Sequence, residues 1–299
     1  MLNGNLREVR CNLCGSDKYK ILGKKNSYQI VSCACGLVYV NPQPSEELIK
    51  NSYNEQYFKD DYNLGKGSSK YLENEDVSKW LLLDLLEKIA PKKGKLLDIG
   101  CAVGYLLKAA EERGWQIDGV EISEFARRLA EQRLNKKIFT SLKDPEIKVD
   151  SYEAVTASEV IEHVSDPASF LKSIYPCLKE NGILIVTTPN LKNAEIYQTI
   201  LDWECIIPPT HLYHFNKQTI TKMLEQNGFK VISITYGPMN IFKGKINEQV
   251  SNWKRIYYKV KPLIEPVKKI LLDAPISWYG KRAGIGETLI VVAKKLENY

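Results

Sequence analysis

The chain has 299 residues and a formal net charge of +6, from 42 basic and 36 acidic side chains. This length supports a full hydrophobic core and more than one folded unit, while so mild a charge gives no argument for a nucleic-acid partner. No apolar run approaches the ~20 residues that span a bilayer, and the N-terminus lacks the apolar segment of a signal peptide. The seven cysteines are therefore expected to be reduced thiols in a cytoplasmic protein.

Four cysteines stand in two close pairs near the N-terminus, Cys11 with Cys14 and Cys33 with Cys35, and a glycine follows each pair. Four soft thiolate ligands suit tetrahedral zinc, and they leave no open coordination position, so the zinc is expected to be structural. The second pair has one spacer residue where two are usual, and the alternative is a set of reduced thiols in a small β unit. A zinc ribbon with its linker is predicted over residues 1–44.

A linker and a covering segment follow the ribbon. Pro42 and Pro44 resist both helix and sheet, and Ser45 is placed to cap a short helix that ends near Asn51. The segment 45–94 is predicted to be mostly helical and carries an aromatic cluster with a glycine- and lysine-rich loop.

The most informative stretch is residues 95–104, an apolar run that passes into a tight loop of small residues. An amphipathic stretch begins at Tyr105, and a second apolar run ends in Glu121. In a doubly wound sheet this order of strand, turn, helix and strand places an adenosine across the strand ends. The acid at the tip of the second strand then accepts hydrogen bonds from the ribose.

The loop excludes two common nucleotide classes. A dinucleotide loop needs a glycine where this chain has the bulky Tyr105, and the Gly-Lys-Ser/Thr ending of a triphosphate loop does not occur in the sequence. The free N–H groups at the start of the following helix suit a carboxylate as well as a phosphate. The alternative is an ordinary glycine turn, with Glu121 serving only to cap a helix.

The pattern Asp98-x-Gly100-x-Ala102-x-Gly104 resembles motif I of the class I S-adenosylmethionine-dependent methyltransferases. Later segments resemble further parts of that family in chain order: a fourth strand and its loop over 152–164, a fifth strand over 181–190, a Pro-x-His segment over 209–215 and a last strand over 286–295. The segment that joins the ribbon to the linker is similar to that of bacterial methyltransferases with an N-terminal zinc-binding domain. Several of those modify sugars or surface-polysaccharide precursors.

The resemblance implies an α/β fold, with a doubly wound, mostly parallel, seven-stranded Rossmann-like sheet over residues 95–299. It also implies S-adenosylmethionine as the cofactor, with residues 45–94 lying over it. Packing of the linker is the alternative role for the tyrosines of that segment. The expected cofactor contacts are Asp98, Gly100, Ala102, Gly104, Glu121, Ile122, Leu142, Glu159 and Tyr57.

Three histidines are the candidates for removing a proton from the acceptor. Methyl transfer from a sulfonium needs alignment and exclusion of water, and a hydroxyl acceptor must also lose its proton, for which histidine is suited. His163, His211 and His214 all follow strands that point toward the cofactor end. His211 is the favoured base, and His163 and Tyr213 are the other catalytic candidates. The alternative for each histidine is a structural hydrogen bond.

The leading hypothesis is a methyltransferase that acts on a small hydroxylated acceptor, with a sugar or polysaccharide precursor as the first expectation. The alternative acceptor is a phenol, a quinone precursor or a secondary metabolite. An RNA methyltransferase and a non-catalytic S-adenosylmethionine-binding protein are more distant alternatives. No nucleic-acid partner is expected, because the ribbon has only scattered basic residues and the chain lacks an Asn-Pro-Pro-Tyr-type motif for a flipped base.

A basic, aromatic-rich insert over about 246–282 interrupts the alternation of strands and helices. It is predicted to form amphipathic helices that shelter the substrate, bind a partner or contact an anionic membrane surface. The identity of the acceptor, the choice between O- and C-methylation and the oligomeric state are left open by the sequence.

Overall fold

The computed structural model describes residues 6–53, 55–57, 77–90, 92–237 and 286–297. The predicted insert at 246–282 lies outside these residues, and so do the possible membrane contacts assigned to it. No helix within the described ranges combines the length and the apolar character needed to cross a bilayer.

The N-terminal part is a small β unit. Its strands are β1 (Leu6–Arg7), β2 (Tyr19–Lys25), β3 (Tyr28–Cys33), β4 (Val38–Val40) and β5 (Gln43–Pro44). Strands β1 and β5 pair with each other, and β2, β3 and β4 form an antiparallel sheet. Strand β3 is buried on both faces, with Tyr28 and Ile30 on one face and Val31 and Cys33 on the other.

A six-stranded sheet forms the centre of the molecule. Its strands, in spatial order, are β11 (Phe229–Tyr236), β12 (Thr288–Lys295), β9 (Leu178–Pro189), β8 (Tyr152–Ser158), β6 (Lys95–Ile99) and β7 (Gln116–Val120). The pairs from β9 to β7 are parallel, whereas β12 is antiparallel to both of its neighbours. This is a mostly parallel, doubly wound sheet, as predicted.

The described residues supply six strands to this sheet where seven were predicted. Between the helix Glu124–Leu134 and β8, a single bridge joins Phe139 to Val120 at the edge of β7. Ile138 and Phe139 are buried at this bridge, and Lys136 and Lys137 before them are exposed. Two apolar residues are too few to hold a strand against the sheet.

Helices cover both faces of the central sheet. They are α1 (Glu46–Ser52), α2 (Val77–Ile89), α3 (Tyr105–Glu112), α4 (Glu124–Leu134), α5 (Pro167–Ile174) and α6 (Lys217–Glu225). Leucines of α2 and α3 pack in one apolar cluster with α4, and α5 and α6 contribute to the cluster on the other face. Strands β6, β8 and β12 are buried along most of their length because both of their faces are covered.

The N-terminal unit is joined to the central part by backbone pairing and side-chain contacts. A short strand, β10 (Tyr213–His214), leaves the central part and pairs with β4, so the small sheet has four strands. At its other side, the Lys25 amine donates to the carbonyl oxygens of Leu201 and Trp203, at 2.8 and 3.3 Å. The predicted ribbon therefore lies against the region that contains two of the histidines.

Candidate functional site

The loop between β6 and α3 has a backbone that its small residues make possible. Gly100, Ala102 and Gly104 all have positive φ angles, of 70°, 48° and 83°, a region that side chains with a Cβ disfavour. A Cβ on Gly100 would lie 2.6 Å from a methyl group of Val160. The loop thus brings its backbone close to the strand ends, where a ligand can lie against it.

Glu121 stands at the end of β7 and faces this loop. Its carboxylate accepts hydrogen bonds from the backbone N–H groups of Ala102 and Ser123, at 2.9 and 2.7 Å. Burial raises the pKa of Glu121, and these N–H donors oppose that rise. The two bonds fix the carboxylate in place and leave further lone pairs for a ligand hydroxyl.

A cavity of about 370 Å³ opens where these elements meet. Six of the predicted cofactor residues line it: Tyr57, Gly100, Ala102, Glu121, Ile122 and Glu159. One predicted catalytic residue, His163, also lines it. The volume is that of a small-molecule site.

Three predicted cofactor residues are not among those that line this cavity. Asp98 is buried within the sheet, where it accepts a hydrogen bond of 2.7 Å from the Thr156 hydroxyl. Gly104 precedes α3 as its N-cap, and Leu142 packs against the apolar core. Asp98 and Gly104 therefore shape the loop from behind.

The sequence did not identify the wall that α1 forms. Glu46, Ile49 and Lys50 of this helix line the cavity, and the Ser45 side chain caps the helix by accepting from the Leu48 N–H at 3.3 Å. The cap was visible in the sequence. The direction in which the helix faces was not, because it depends on tertiary packing.

Tyr53 also lines the cavity, next to the expected Tyr57. Its ring meets those of Tyr57 and His163 edge to face, with centroid distances of 5.2 and 5.7 Å. Its hydroxyl is buried and has no hydrogen-bond partner among the described residues, and burial raises its pKa. A buried, unpartnered hydroxyl in a cavity wall is available to a polar ligand.

His163 and His211 lie against each other, with ring centroids 4.6 Å apart. Nδ1 of His163 lies 3.0 Å from the carbonyl oxygen of Thr210, and Nδ1 of His211 lies 2.8 Å from that of Cys205. A carbonyl accepts only, so each Nδ1 carries the hydrogen and each Nε2 keeps a lone pair. Burial lowers the pKa of His163 to about 3, with a further contribution from His211, and burial lowers that of His211 to about 4.

The remaining catalytic candidate, Tyr213, does not line the cavity. Its hydroxyl donates to the carbonyl oxygen of Ser165 at 3.1 Å, its ring stacks on Tyr39, and burial raises its pKa to about 12. His211 is likewise absent from the cavity wall and lies behind His163. Of the three catalytic candidates, only His163 reaches the cavity directly.

The four N-terminal cysteines converge on one point. Their sulfur atoms all lie within 4.8 Å of one another, with Cys11 and Cys35 at 3.5 Å and Cys14 and Cys33 at 3.4 Å. The first pair sits on a turn closed by a hydrogen bond from the Gly15 N–H to the Cys11 carbonyl oxygen. This donor set and spacing fit one tetrahedral metal ion.

Comparison with known proteins gives a consistent result. The sequence profile of a family described as "Methyltransferase domain" matches residues 72–234. A ubiquinone biosynthesis O-methyltransferase of Coxiella burnetii is 30% identical over 51% of this chain and 71% of its own. Another of that name, from Leptothrix cholodnii, is 28% identical over 38% of this chain. The chain spans about half (52%) of the length of the Leptothrix relative.

A solved structure shares the fold. Phosphoethanolamine N-methyltransferase 2 of Haemonchus contortus, in complex with S-adenosyl-L-methionine, superposes with a TM-score of 0.54 at 18% identity. The superposition covers 93% of this chain and 71% of that one.

Proposed function

We propose that the chain, which belongs to the methyltransferase-domain family, is an S-adenosylmethionine-dependent methyltransferase that methylates a hydroxyl oxygen of a small phenol-type acceptor. The names of the curated relatives support O-methylation and a quinone-precursor class of acceptor. A carbohydrate acceptor, which was the first expectation from the sequence, has no such support. The phenol-type acceptor therefore takes its place.

S-adenosylmethionine is proposed to lie across the loop that follows β6. The carboxylate of Glu121 would accept hydrogen bonds from the ribose diol, and Ile122, which is half exposed, would lie against the adenine. The backbone at Gly100 and Ala102 faces the methionine half. Tyr53 and Tyr57, which line the same cavity, would cover the cofactor.

One observation carries the proposal: the glycine loop and His163 line the same cavity. The donor end and a group suited to a hydroxyl acceptor would thus face the same cavity. In the transfer, an O–CH₃ bond forms as the S⁺–CH₃ bond breaks, which yields S-adenosylhomocysteine and releases the acceptor proton. The protein supplies alignment, exclusion of water and a polar environment for that proton to leave.

The four N-terminal cysteines are proposed to hold a structural zinc ion. Their number, their softness and the tight turns that carry them support this assignment. The ion would tie the turn after β1 to the turn between β3 and β4. It takes no part in the proposed reaction.

The proposed function is tested by measuring binding and transfer separately. Calorimetry should detect S-adenosylhomocysteine, and labelled methyl groups should pass from the cofactor to simple catechols rather than to nucleotide sugars. Glu121→Gln should weaken binding roughly 10- to 100-fold, the equivalent of about 1.5–3 kcal/mol for a hydrogen bond to a charged group.

Glu124→Gln is the matched control, because Glu124 is the first residue of α4, is exposed and pairs with Arg128 on the surface. This variant should bind S-adenosylhomocysteine as the unchanged protein does. Transfer to nucleotide sugars but not to catechols would overturn the choice of acceptor. Equal affinity in the two variants would overturn the role of Glu121.

A further inference from the structure

Three ligand-bearing side chains meet at the acceptor end of the cavity, separate from the cysteine cluster. Single ligand atoms of Glu162, His163 and His211 all lie within 4.8 Å of one another. Nε2 of His163 is 3.8 Å from Oε1 of Glu162. Atoms that share one ion at about 2.1 Å are separated by roughly 3–4 Å, so the cluster is near the size that a metal requires.

Both imidazoles present the nitrogen that a metal binds. The Nδ1–H of each ring donates to a backbone carbonyl oxygen, of Thr210 for His163 and of Cys205 for His211. This is the usual arrangement behind a metal-bound histidine, because the second hydrogen bond fixes the tautomer and orients the ring. The lone pair on Nε2 of each ring is therefore oriented by the fold before any ligand binds.

The third member is the buried carboxyl group of Glu162, which interacts with the Thr188 hydroxyl and the Glu159 carboxyl. The side chain of Glu162 is 1% exposed, and neither oxygen receives a hydrogen bond of ordinary geometry from a described residue. The backbone holds the side chain in this place, because the Glu162 carbonyl oxygen accepts from the N–H groups of Leu212 and Tyr213. A buried carboxylate without such a hydrogen bond needs a compensating cation or a proton.

We propose that Glu162, His163 and His211 bind one divalent first-row cation, of the class of Mn²⁺, Fe²⁺, Co²⁺ or Zn²⁺. Two imidazoles and one carboxylate are the donor set that such ions take with positions left open. His163 lines the cavity whereas the other two members lie behind it, so the open positions face the acceptor.

The role of the ion rests on the proposed function, although its binding does not. A cation at this point would receive the acceptor oxygen and stabilise its anionic form, so that the proton leaves at a lower pH than in water. His163 and His211 then serve as ligands, and they orient the acceptor through the ion. Two adjacent oxygens, as in a catechol, match an ion with more than one open position.

Titration with Mn²⁺ followed by electron paramagnetic resonance tests the site. Free Mn²⁺ gives a signal that disappears on binding, and thiolates are poor ligands for it, so the cysteine cluster does not interfere. The full chain should take up one Mn²⁺, or should already contain a second metal equivalent by elemental analysis. Glu162→Gln and His211→Gln should each weaken uptake, or deplete that second metal, by at least about tenfold.

Two controls keep the outcome clear. Glu124→Gln removes an exposed carboxylate that belongs to neither cluster and should leave Mn²⁺ uptake unchanged. Binding of S-adenosylhomocysteine shows whether Glu162→Gln and His211→Gln are folded. Absence of uptake and of a second metal in the folded protein overturns the inference, as does undiminished binding in both variants.

Transfer assays with and without Mn²⁺ separate this inference from the proposed function. Metal binding without transfer to any phenol would remove the proposed acceptor and leave the cation site in place. Transfer to a catechol by a protein that binds no cation would remove the cation site and leave the proposed acceptor in place. Transfer that rises at least about tenfold with Mn²⁺, and does not rise in Glu162→Gln, would support both.

Discussion

At the scale of single residues, burial decides the charge of the groups around the cavity. His163, His211 and His214 all have a lowered pKa, chiefly through loss of solvation. For Glu162 the same burial, with the nearby Glu159 carboxyl, raises the pKa. Burial therefore favours the uncharged form of each of these four side chains.

The three histidines should stay neutral well below their ordinary pKa. The unfolded chain takes up these protons near pH 6.5, whereas folded His163 and His211 do so only at about pH 3 and 4. Their contribution to stability is therefore complete above pH 6.5 and is lost as the pH falls toward 4, by about 1.4 kcal/mol per pH unit for each.

Nuclear magnetic resonance of the imidazole carbons and nitrogens follows the titration of each ring separately. This is needed because Glu162, whose pKa is raised, changes the stability with pH in the opposite direction. The ring signals should not titrate between about pH 8 and pH 5, and the nitrogens should report the Nδ1–H tautomer for His163 and His211. Midpoints near 6.5 would contradict the assigned burial.

Some of these residues were predictable and others were not. Glu121 follows from sequence, because an acid at the end of a second strand has a fixed place relative to the first loop. Glu162 precedes the predicted His163, yet its importance depends on hydrogen bonds from Leu212 and Tyr213, about fifty residues along the chain. No local pattern encodes such a contact.

At the scale of elements, the loop after β6 depends on its first glycine. Gly100 has a positive φ, and an added Cβ would lie 2.6 Å from Val160. Gly114 also has a positive φ but has no atom within 4 Å of that position. Alanine substitutions at these two glycines therefore separate the free-energy cost of the backbone angle from that of the contact with Val160.

Gly100→Ala should lower the free energy of unfolding more than Gly114→Ala does. Both changes force alanine into the left-handed region, at about 1–2 kcal/mol, and only the first also displaces Val160. Chemical denaturation measures both values, and calorimetry with S-adenosylhomocysteine should show weaker binding for Gly100→Ala alone. An equal loss of unfolding free energy in the two variants would show that the contact with Val160 does not destabilise Gly100→Ala.

The elements themselves were predicted where the local signal was strong. The cap at Ser45 and the apolar run before Gly100 predicted α1 and β6, and the structure places both there. The described residues supply six of the seven predicted strands, because pairing at a sheet edge depends on how many apolar residues a segment can bury. The glycine loop, the acid and the mostly parallel sheet thus followed from the sequence, whereas the cavity wall formed by α1 did not.

At the scale of the whole molecule, the N-terminal unit and the central part share one sheet through β10. Purified protein should contain about one zinc per chain at the cysteine cluster, and Cys11→Ser should lose it, because four thiolates are needed for a closed tetrahedral site. The melting temperature should fall with the metal, since β4 then loses its support. Elemental analysis and calorimetry measure the two effects.

Cys205→Ser is the control for that experiment, because this half-buried thiol is not one of the four cysteines of the cluster. It should keep the zinc content of the unchanged protein. If the Cys11→Ser protein retains its zinc, the four cysteines do not bind that ion.

The pairing of β10 with β4 limits how this enzyme can be re-engineered. His211 precedes β10 by only two positions, so any N-terminal module grafted in place of residues 6–44 would have to offer the same edge to Tyr213 and His214. A module with a different edge would shift the backbone that carries His211. Exchanging the front of the molecule would thus change the acceptor end of the cavity, although no residue of that module needs to touch the substrate.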